Sequence, residues 1–370
     1  MNVGAAVPQS MAPITFGFAT LEQGTPNGGA WMIMAMVTAQ VLGAVPVTAA
    51  GRRLAISSYI RLLAAFRALA FIALAAAIGL HAPIVVLSAV AAVTGVATGA
   101  IFGLLRATLN DMVVAKKLPR ALGIAATANE LVFVAGPVLA SLMGGISAAI
   151  GVAVMALASA LPLVLLPRIA HGAPERPIRD RREAMPARTL VWLLASTSSS
   201  ACVASIEVGA LALALRYHFP PADAVFFTVP LCLASVAGGT WISFRNRRLR
   251  RSTLVVALLA MSGAAIAIAS SGNAGVAIAA AVTIGLFLAP LGTSYSLVLD
   301  DVLPRSRRAE GFALLRTSNA LGVIVVSGVI ALSSPGVSFA VAAVLALLSA
   351  ILIGAYGMPP RREALQPTSS

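Results

Sequence analysis

Two carboxylates occupy places where a charge is hard to keep. Glu130 lies in ATANELVFVAGP (126–137), beside Asn129 and ahead of Gly136-Pro137, within an otherwise apolar stretch. Glu207 lies in SIEVGALALA (205–214), apolar on both sides. An ionisable group at membrane depth is by default a working residue. Glu130 is ten residues past Arg120, roughly 15 Å along a helix axis, and Glu207 nine before Arg216, roughly 14 Å. Both would therefore stand near the middle of a ~30 Å hydrocarbon core. Desolvation penalises the charged form, and a group neutral in one state and charged in another is what proton coupling requires. The alternative for each is a structural carboxylic acid, hydrogen-bonded to Asn129 or to a serine on a neighbouring helix.

Other polar residues share these apolar runs. Arg316, eight residues past Arg308, would meet an acid or an anionic substrate, or snorkel back to the interface. Arg67 has the spacing of an interfacial arginine, and Arg106 that of a partner for Asp111. Hydroxyls come from Ser196-Thr197-Ser198-Ser199-Ser200 and from Thr293-Ser294-Tyr295-Ser296. Gly95, Gly99 and Gly103 recur every fourth residue and make a face for close helix approach. Gly136-Pro137 is expected to kink its helix. The three histidines (His81, His171, His218) lack metal-ligand spacing, so no metal is expected. Cys202 and Cys232 sit in apolar runs and read as packing residues. No cofactor is expected.

The elements that must hold these groups are membrane helices. Of 370 residues, 59% are hydrophobic and 10% charged, with mean hydropathy +0.95. A soluble domain is nearer half apolar and a quarter charged. A β-barrel would alternate with period two, whereas here the apolar runs are unbroken. They predict twelve spans, at 4–21, 30–50, 58–80, 84–108, 121–143, 147–167, 190–215, 223–244, 253–271, 275–299, 310–333 and 336–356. The first is the weakest, carrying Pro8, Gln9 and Pro13. The first basic residue is Arg52, so no cleavable signal peptide is expected.

The net charge of +14 has no interleaved aromatics and no basic domain around it, which argues against nucleic acid. Instead, Lys and Arg crowd alternate connections: Arg52, Arg53 and Arg61; Lys116, Lys117 and Arg120; 168–188; Arg245 to Arg251; Arg305 to Arg308; Arg361 and Arg362. Of the 26 basic residues only Arg216 falls on the other side, with Arg67 and Arg316 within spans. The positive-inside rule then places both termini in the cytoplasm.

The chain also repeats itself. The charged, proline-rich 168–189 reads as a cytoplasmic linker between six-helix bundles at 1–167 and 190–358, with a cytoplasmic tail at 359–370. Arg120-Ala121-Leu122-Gly123 matches Arg308-Ala309-Glu310-Gly311, and Leu109-Asn110-Asp111 matches Leu299-Asp300-Asp301. Gly51-Arg52-Arg53-Leu54 matches Asn246-Arg247-Arg248-Leu249. Parallel six-helix repeats around a midplane site mark one transporter architecture.

On these residues the chain resembles the major facilitator superfamily along its whole length. Gly51, Arg52 and Arg53 match the end of the first-loop pattern G-x-L-x-D-R-x-G-R-R, whose Asp and following Arg are Thr48 and Ala49 here. Gly123 and Gly136-Pro137 match part of the antiporter pattern G-x8-G-x3-G-P-x2-G-G, whose other glycines are Val132, Ala140 and Ser141. Asp301 and Arg308 resemble the acidic-x6-Arg loop pattern, of which Asp111 and Arg120 are a stretched version. PQSMAP, NELVFVAGP, SIEVGALALA and TSYSLVLDDVLPRSRRAEGFA resemble a bacterial drug-exporter-like branch.

The resemblance implies an all-α polytopic membrane protein of about twelve helices in two pseudo-symmetric six-helix bundles. It implies a monomer in the bacterial cytoplasmic (inner) membrane, acting as a secondary transporter in which proton entry drives efflux of a small organic compound by rocker-switch alternating access. Glu130 and Glu207 are its proton-coupling candidates. Asn129, Arg316, Ser200, Thr293 and Tyr295 are cavity candidates, since the family's plan rings the cavity with spans one, four, seven and ten. Arg52, Arg53, Asp111, Arg120, Asp301, Arg308 and Glu310 are cytoplasmic gate candidates. Uptake symport, and a non-transporting sensor or lipid-interacting protein of the same fold, are the alternatives. No HExxH, nucleophile pair or P-loop points to an enzyme.

Overall fold

Apolar sequence in hydrocarbon leaves the backbone no water to bond, so each run closes its own hydrogen bonds as a helix. The computed structural model describes residues 2–51, 54–112, 118–166, 187–245, 248–303 and 308–356. At 2–3, 106–112, 118–127, 130, 187–188 and 308–310 it describes the backbone alone. Among these residues twelve long helices form: α1 (Asn2–Leu21), α2 (Gly28–Ala50), α3 (Ile56–Gly79), α4 (Ile84–Met112), α5 (Leu118–Gly144) and α6 (Ala148–Leu165). Then follow α7 (Ala187–Arg216), α8 (Val225–Arg245), α9 (Arg251–Ser270), α10 (Ala274–Val302), α11 (Arg308–Leu332) and α12 (Pro335–Tyr356). Ten helices are long and apolar enough to cross a membrane.

Of the remaining two, α5 contributes only its described apolar part, Leu131–Gly144, which is shorter than a span, and α1 falls short for a physical reason. It exposes none of its large side chains, because α2, α5, α6 and α7 enclose it. A helix that barely meets lipid can carry Gln9, whose amide donates to Gln40 of α2 at 3.2 Å. It also runs unbroken through Pro8 and Pro13. Lipid is met elsewhere, by residues such as Leu62, Leu69 and Ile72 of α3 and Leu347, Leu348 and Ile351 of α12.

Packing repeats with an offset of six helices. The pairs α1–α5, α2–α4, α3–α6 and α3–α4 recur as α7–α11, α8–α10, α9–α12 and α9–α10. The repeat reaches single residues. A Cβ on Gly95 would lie 2.0 Å from the Met36 carbonyl oxygen, and one on Gly285 would lie 2.1 Å from that of Leu231. Arg61 donates to the Leu166 carbonyl at the end of α6, while Arg251 donates to the Ile353 carbonyl near the end of α12 at 3.0 Å. The halves meet through α2 with α11, α5 with α8, and α1 with α7.

Two expectations differ from the structure, at Gly103 and at Arg67. Gly103 faces open space rather than a helix, unlike Gly95 and Gly99. Arg67 does not snorkel: it is 2% exposed, donates to the Ala5 carbonyl at 3.1 Å and stands over the Phe71 ring. The α1 carbonyl that it bonds and the ring it stands over hold it inside the bundle, away from the interface. Arg216 caps α9 by donating to the carbonyls of Ile268, Ala269 and Ser271, so its position at the less basic end has a structural use. His81 and His218 sit in left-handed turns (φ 54° and 62°) just past α3 and α7. α5 is helical throughout Leu118–Gly144, Pro137 included, and Gly136 makes room for Ser10.

Gly95→Ala and Gly285→Ala should each destabilise by about 1–3 kcal/mol, the cost of overpacking. Gly103→Ala should be neutral or gain up to about 1 kcal/mol of helix propensity. Thermal unfolding of the purified protein in detergent reads all three.

Candidate functional site

α7 carries most of the site because its serines and threonines fasten it to α11. The Ser196 hydroxyl donates to Asn319 Oδ1, the Thr197 hydroxyl to the Ser318 carbonyl at 3.0 Å and the Ser200 hydroxyl to the Asn319 carbonyl at 2.8 Å. Gly322 lets the helices approach, since a Cβ there would lie 2.4 Å from the Thr197 carbonyl oxygen. A second tie runs to α10, where the Tyr295 and Ser199 hydroxyls are 2.9 Å apart. Ser199 already donates to the Ala195 carbonyl, so Tyr295 is the donor. Tyr295 also meets Trp192, ring centroids 6.2 Å apart.

Beside this framework lies a cavity of about 400 Å³. α7 contributes Ser196, Ser199, Ser200, Val203 and Glu207 to its wall. α10 adds Leu288, Gly292, Tyr295 and Ser296; α8 adds Leu231, Cys232 and Ser235; α11 adds Leu315 and Asn319. From the other half, α5 brings Asn129 and Phe133. Ser196 and Glu207 are separated by eleven residues of α7, so the cavity extends roughly 16 Å along that helix. Glu207 is the only charged residue on the described wall.

Four of the proton-coupling and cavity candidates come together here, Asn129, Ser200, Glu207 and Tyr295, with Ser196, Ser199 and Ser296 of the two hydroxyl runs. Thr293 does not. It is exposed on the face of α10 that carries Leu286 and Leu297, and its hydroxyl returns to the Ala289 carbonyl. Arg316 is off the wall as well, its guanidinium 5.2 Å from the centroid of the Phe102 ring on α4 in the other half. α5 carries Glu130 at the position after Asn129; the Glu130 side chain lies outside the described residues. So do Arg52 and Arg53, and the side chains of Asp111, Arg120, Arg308 and Glu310.

Asp301, at the end of α10, takes a two-armed ion pair from Arg248 in the α8–α9 connection. That hydrogen-bonded carboxylate holds the Arg248 guanidinium above its ordinary pKa. Asn319 and Ser235 were not singled out by sequence. Asn319 had a visible signal, a carboxamide in an apolar helix at the offset from Asn129 that also relates Asp111 to Asp301.

Twelve helices in two like halves, clad in apolar side chains around a polar cavity, are the build of a membrane transporter. The family model described as Major Facilitator Superfamily matches residues 2–327, and the chain belongs to that superfamily. It is therefore a multi-pass membrane transporter of small molecules and not an enzyme. Among solved structures, the xylose transporter XylE from E. coli, in an inward open conformation, is similar at 12% identity and TM-score 0.73, over 98% of this chain and 95% of that one. The nucleoside transporter NupG is similar at 13% identity and TM-score 0.69, over 96% and 99%. A bacterial homolog of the human lysosomal transporter Spinster has the same identity and score, 13% and 0.69, over 95% of each chain. At such identities the likeness is one of fold. No curated protein sequence matches the chain.

Tyr295→Phe removes a buried hydroxyl and should cost about 0.5–1.5 kcal/mol, read by thermal unfolding. Thr293→Ala, which removes a hydroxyl bonded only within its own helix, should leave substrate transport by the protein in vesicles at the native rate.

Proposed function

We propose that the protein couples proton movement to export of a small organic compound, with residues 1–167 rocking against 190–358 around the α7–α10–α11 cavity. The observation that carries this reading is Glu207, the one acid among the described residues of the cavity wall, at mid-helix depth in α7. It meets no cation among the described residues, so protonation and substrate binding can both act on it. Glu130, next in sequence to the cavity-lining Asn129, is the second candidate. Export is supported by the partial antiporter pattern at Gly123 and Gly136-Pro137 and by the exporter-like segments. The cytoplasmic gate candidates at the basic end, Arg52 to Glu310, are assigned to holding the halves closed there in one access state. A monomer in a bacterial inner membrane, with both termini in the cytoplasm, fits the charge pattern of the connections.

Uptake is the second reading, and one observation favours it. The wall is rich in hydroxyls and carboxamides, as suits a polar solute, and a D-xylose-proton symporter has the same fold, with TM-score 0.73. The direction of proton flow relative to substrate separates the two.

The test is transport in proteoliposomes under an imposed pH gradient. Glu207→Gln should abolish gradient-driven accumulation while substrate exchange at equal pH on both sides continues. Glu130→Gln is measured alongside. If both variants accumulate substrate as the native protein does, neither acid couples protons. Substrate and protons moving in the same direction would establish the uptake reading.

A further inference from the structure

Most serine hydrogens of the cavity wall are already committed, that of Ser235 on α8 excepted. A serine hydroxyl has one hydrogen to donate and oxygen lone pairs to accept with. Ser196 donates to Asn319 Oδ1, Ser200 to the Asn319 carbonyl and Ser296 to the Gly292 carbonyl at 3.0 Å. Toward the cavity these groups can only accept. Glu207 accepts too when charged, and no arginine or lysine lies on the described wall. An anion placed there would face lone pairs and a carboxylate, with no cation among the described wall residues to offset the loss of its hydration.

Asparagine side chains are the counterweight. No described residue takes the Nδ2 hydrogens of Asn319, whose Oδ1 is held by Ser196. The carboxamide from the other half is that of Asn129. The offset of 190 residues that relates Arg61 to Arg251, Gly95 to Gly285 and Asp111 to Asp301 falls to 188 at the start of α5 and α11, where Arg120 matches Arg308. Asn129 and Asn319 therefore occupy neighbouring rather than identical positions of the repeat. The Arg61–Arg251 and Gly95–Gly285 pairs make equivalent contacts in the two halves. α5 and α11, the repeat-related helices, thus each bring one carboxamide to the same cavity, one from either half.

We infer that Asn129 and Asn319 form a pair, one from each half, that reads the substrate from both sides, and that the substrate is a non-anionic compound rich in hydrogen-bond donors, carrying hydroxyl or ammonium groups. The inference rests on this cavity being the transport site. The donors of such a compound meet the serine oxygens and Glu207, and its oxygens meet the carboxamide hydrogens. Because the pair spans the halves, a bound compound ties α5 to α11 and is sensed by both at once.

The test is binding to the purified full chain in detergent at neutral pH, with no gradient, so it is independent of proton coupling. The probes are matched triples on one skeleton: tyramine, tyrosol and 4-hydroxyphenylacetate, and glucosamine, glucose and glucuronate. Amines and alcohols should raise the unfolding temperature, and the carboxylates should not. Asn319→Asp keeps the acceptor for Ser196 but exchanges two donors for a charge. It should tighten amine binding and weaken alcohol binding, each about tenfold, the worth of one hydrogen bond to a charged or buried group. Asn129→Asp should shift the same preference in the same direction. A carboxylate bound as tightly as its matched amine, or no member of any triple bound, overturns the inference. Failure of Glu207→Gln to alter proton flux, with this selectivity intact, would count against the coupling proposal alone.

Discussion

Hydrocarbon gives apolar helices no reason to leave it for one another, so helices in a bilayer are held by close contact and by the few polar bonds they share. In this protein the contact is backbone against backbone. Gly95 sits on the Met36 carbonyl and Gly285 on that of Leu231, which fixes α2 on α4 and α8 on α10. With those pairs set, α3 and α9 are drawn beside α6 and α12, where their arginines reach the Leu166 and Ile353 carbonyls. α1 and α7 are left in the middle of each half. The central helices are then screened from lipid, and screening is what permits their polar content.

That permission builds the site. α7 holds Ser196 through Ser200, and most of those hydroxyls fasten it to α11 or α10 rather than wait for a ligand. One arrangement therefore serves two ends. The bonds that orient α7 also use up its hydroxyl hydrogens, leaving its face of the cavity to accept, with Glu207 the one acid on the described wall. The contacts between halves are of another kind: the ring contact of Arg316 with Phe102 and the long bond from Asn27 to the Ser333 carbonyl, 3.5 Å. Interfaces made of such contacts can be exchanged, whereas the glycine seats within each half cannot be left without opening a void.

Much of this is legible in the sequence, for definite reasons. Helix number follows from hydropathy, since a span must be apolar wherever it meets lipid. The repeat is visible at Asp111 and Asp301, which recur near the ends of α4 and α10. Glu207 is found by depth alone. What sequence does not carry is helix rotation. Thr293 and Tyr295 are two residues apart, yet one faces outward and the other the cavity, and only the seating of α10 on α8 decides which. Asn319 was passed over for the same reason: its value comes from α7 lying across it. Arg67 misled because its depth resembles that of a snorkelling residue, while burial depends on α1, a helix far away in sequence.

At the less basic end the halves touch through α1 with α7 and through Asn27 with Ser333. The central claim is that this closure is one of two states. Pulsed electron resonance between spin labels at Thr25→Cys and Ser334→Cys, with Cys202 and Cys232 replaced by alanine, measures it directly in liposomes. The account predicts a short distance joined by a second, longer population whose share changes with pH or bound compound. A single short distance under every condition would contradict it.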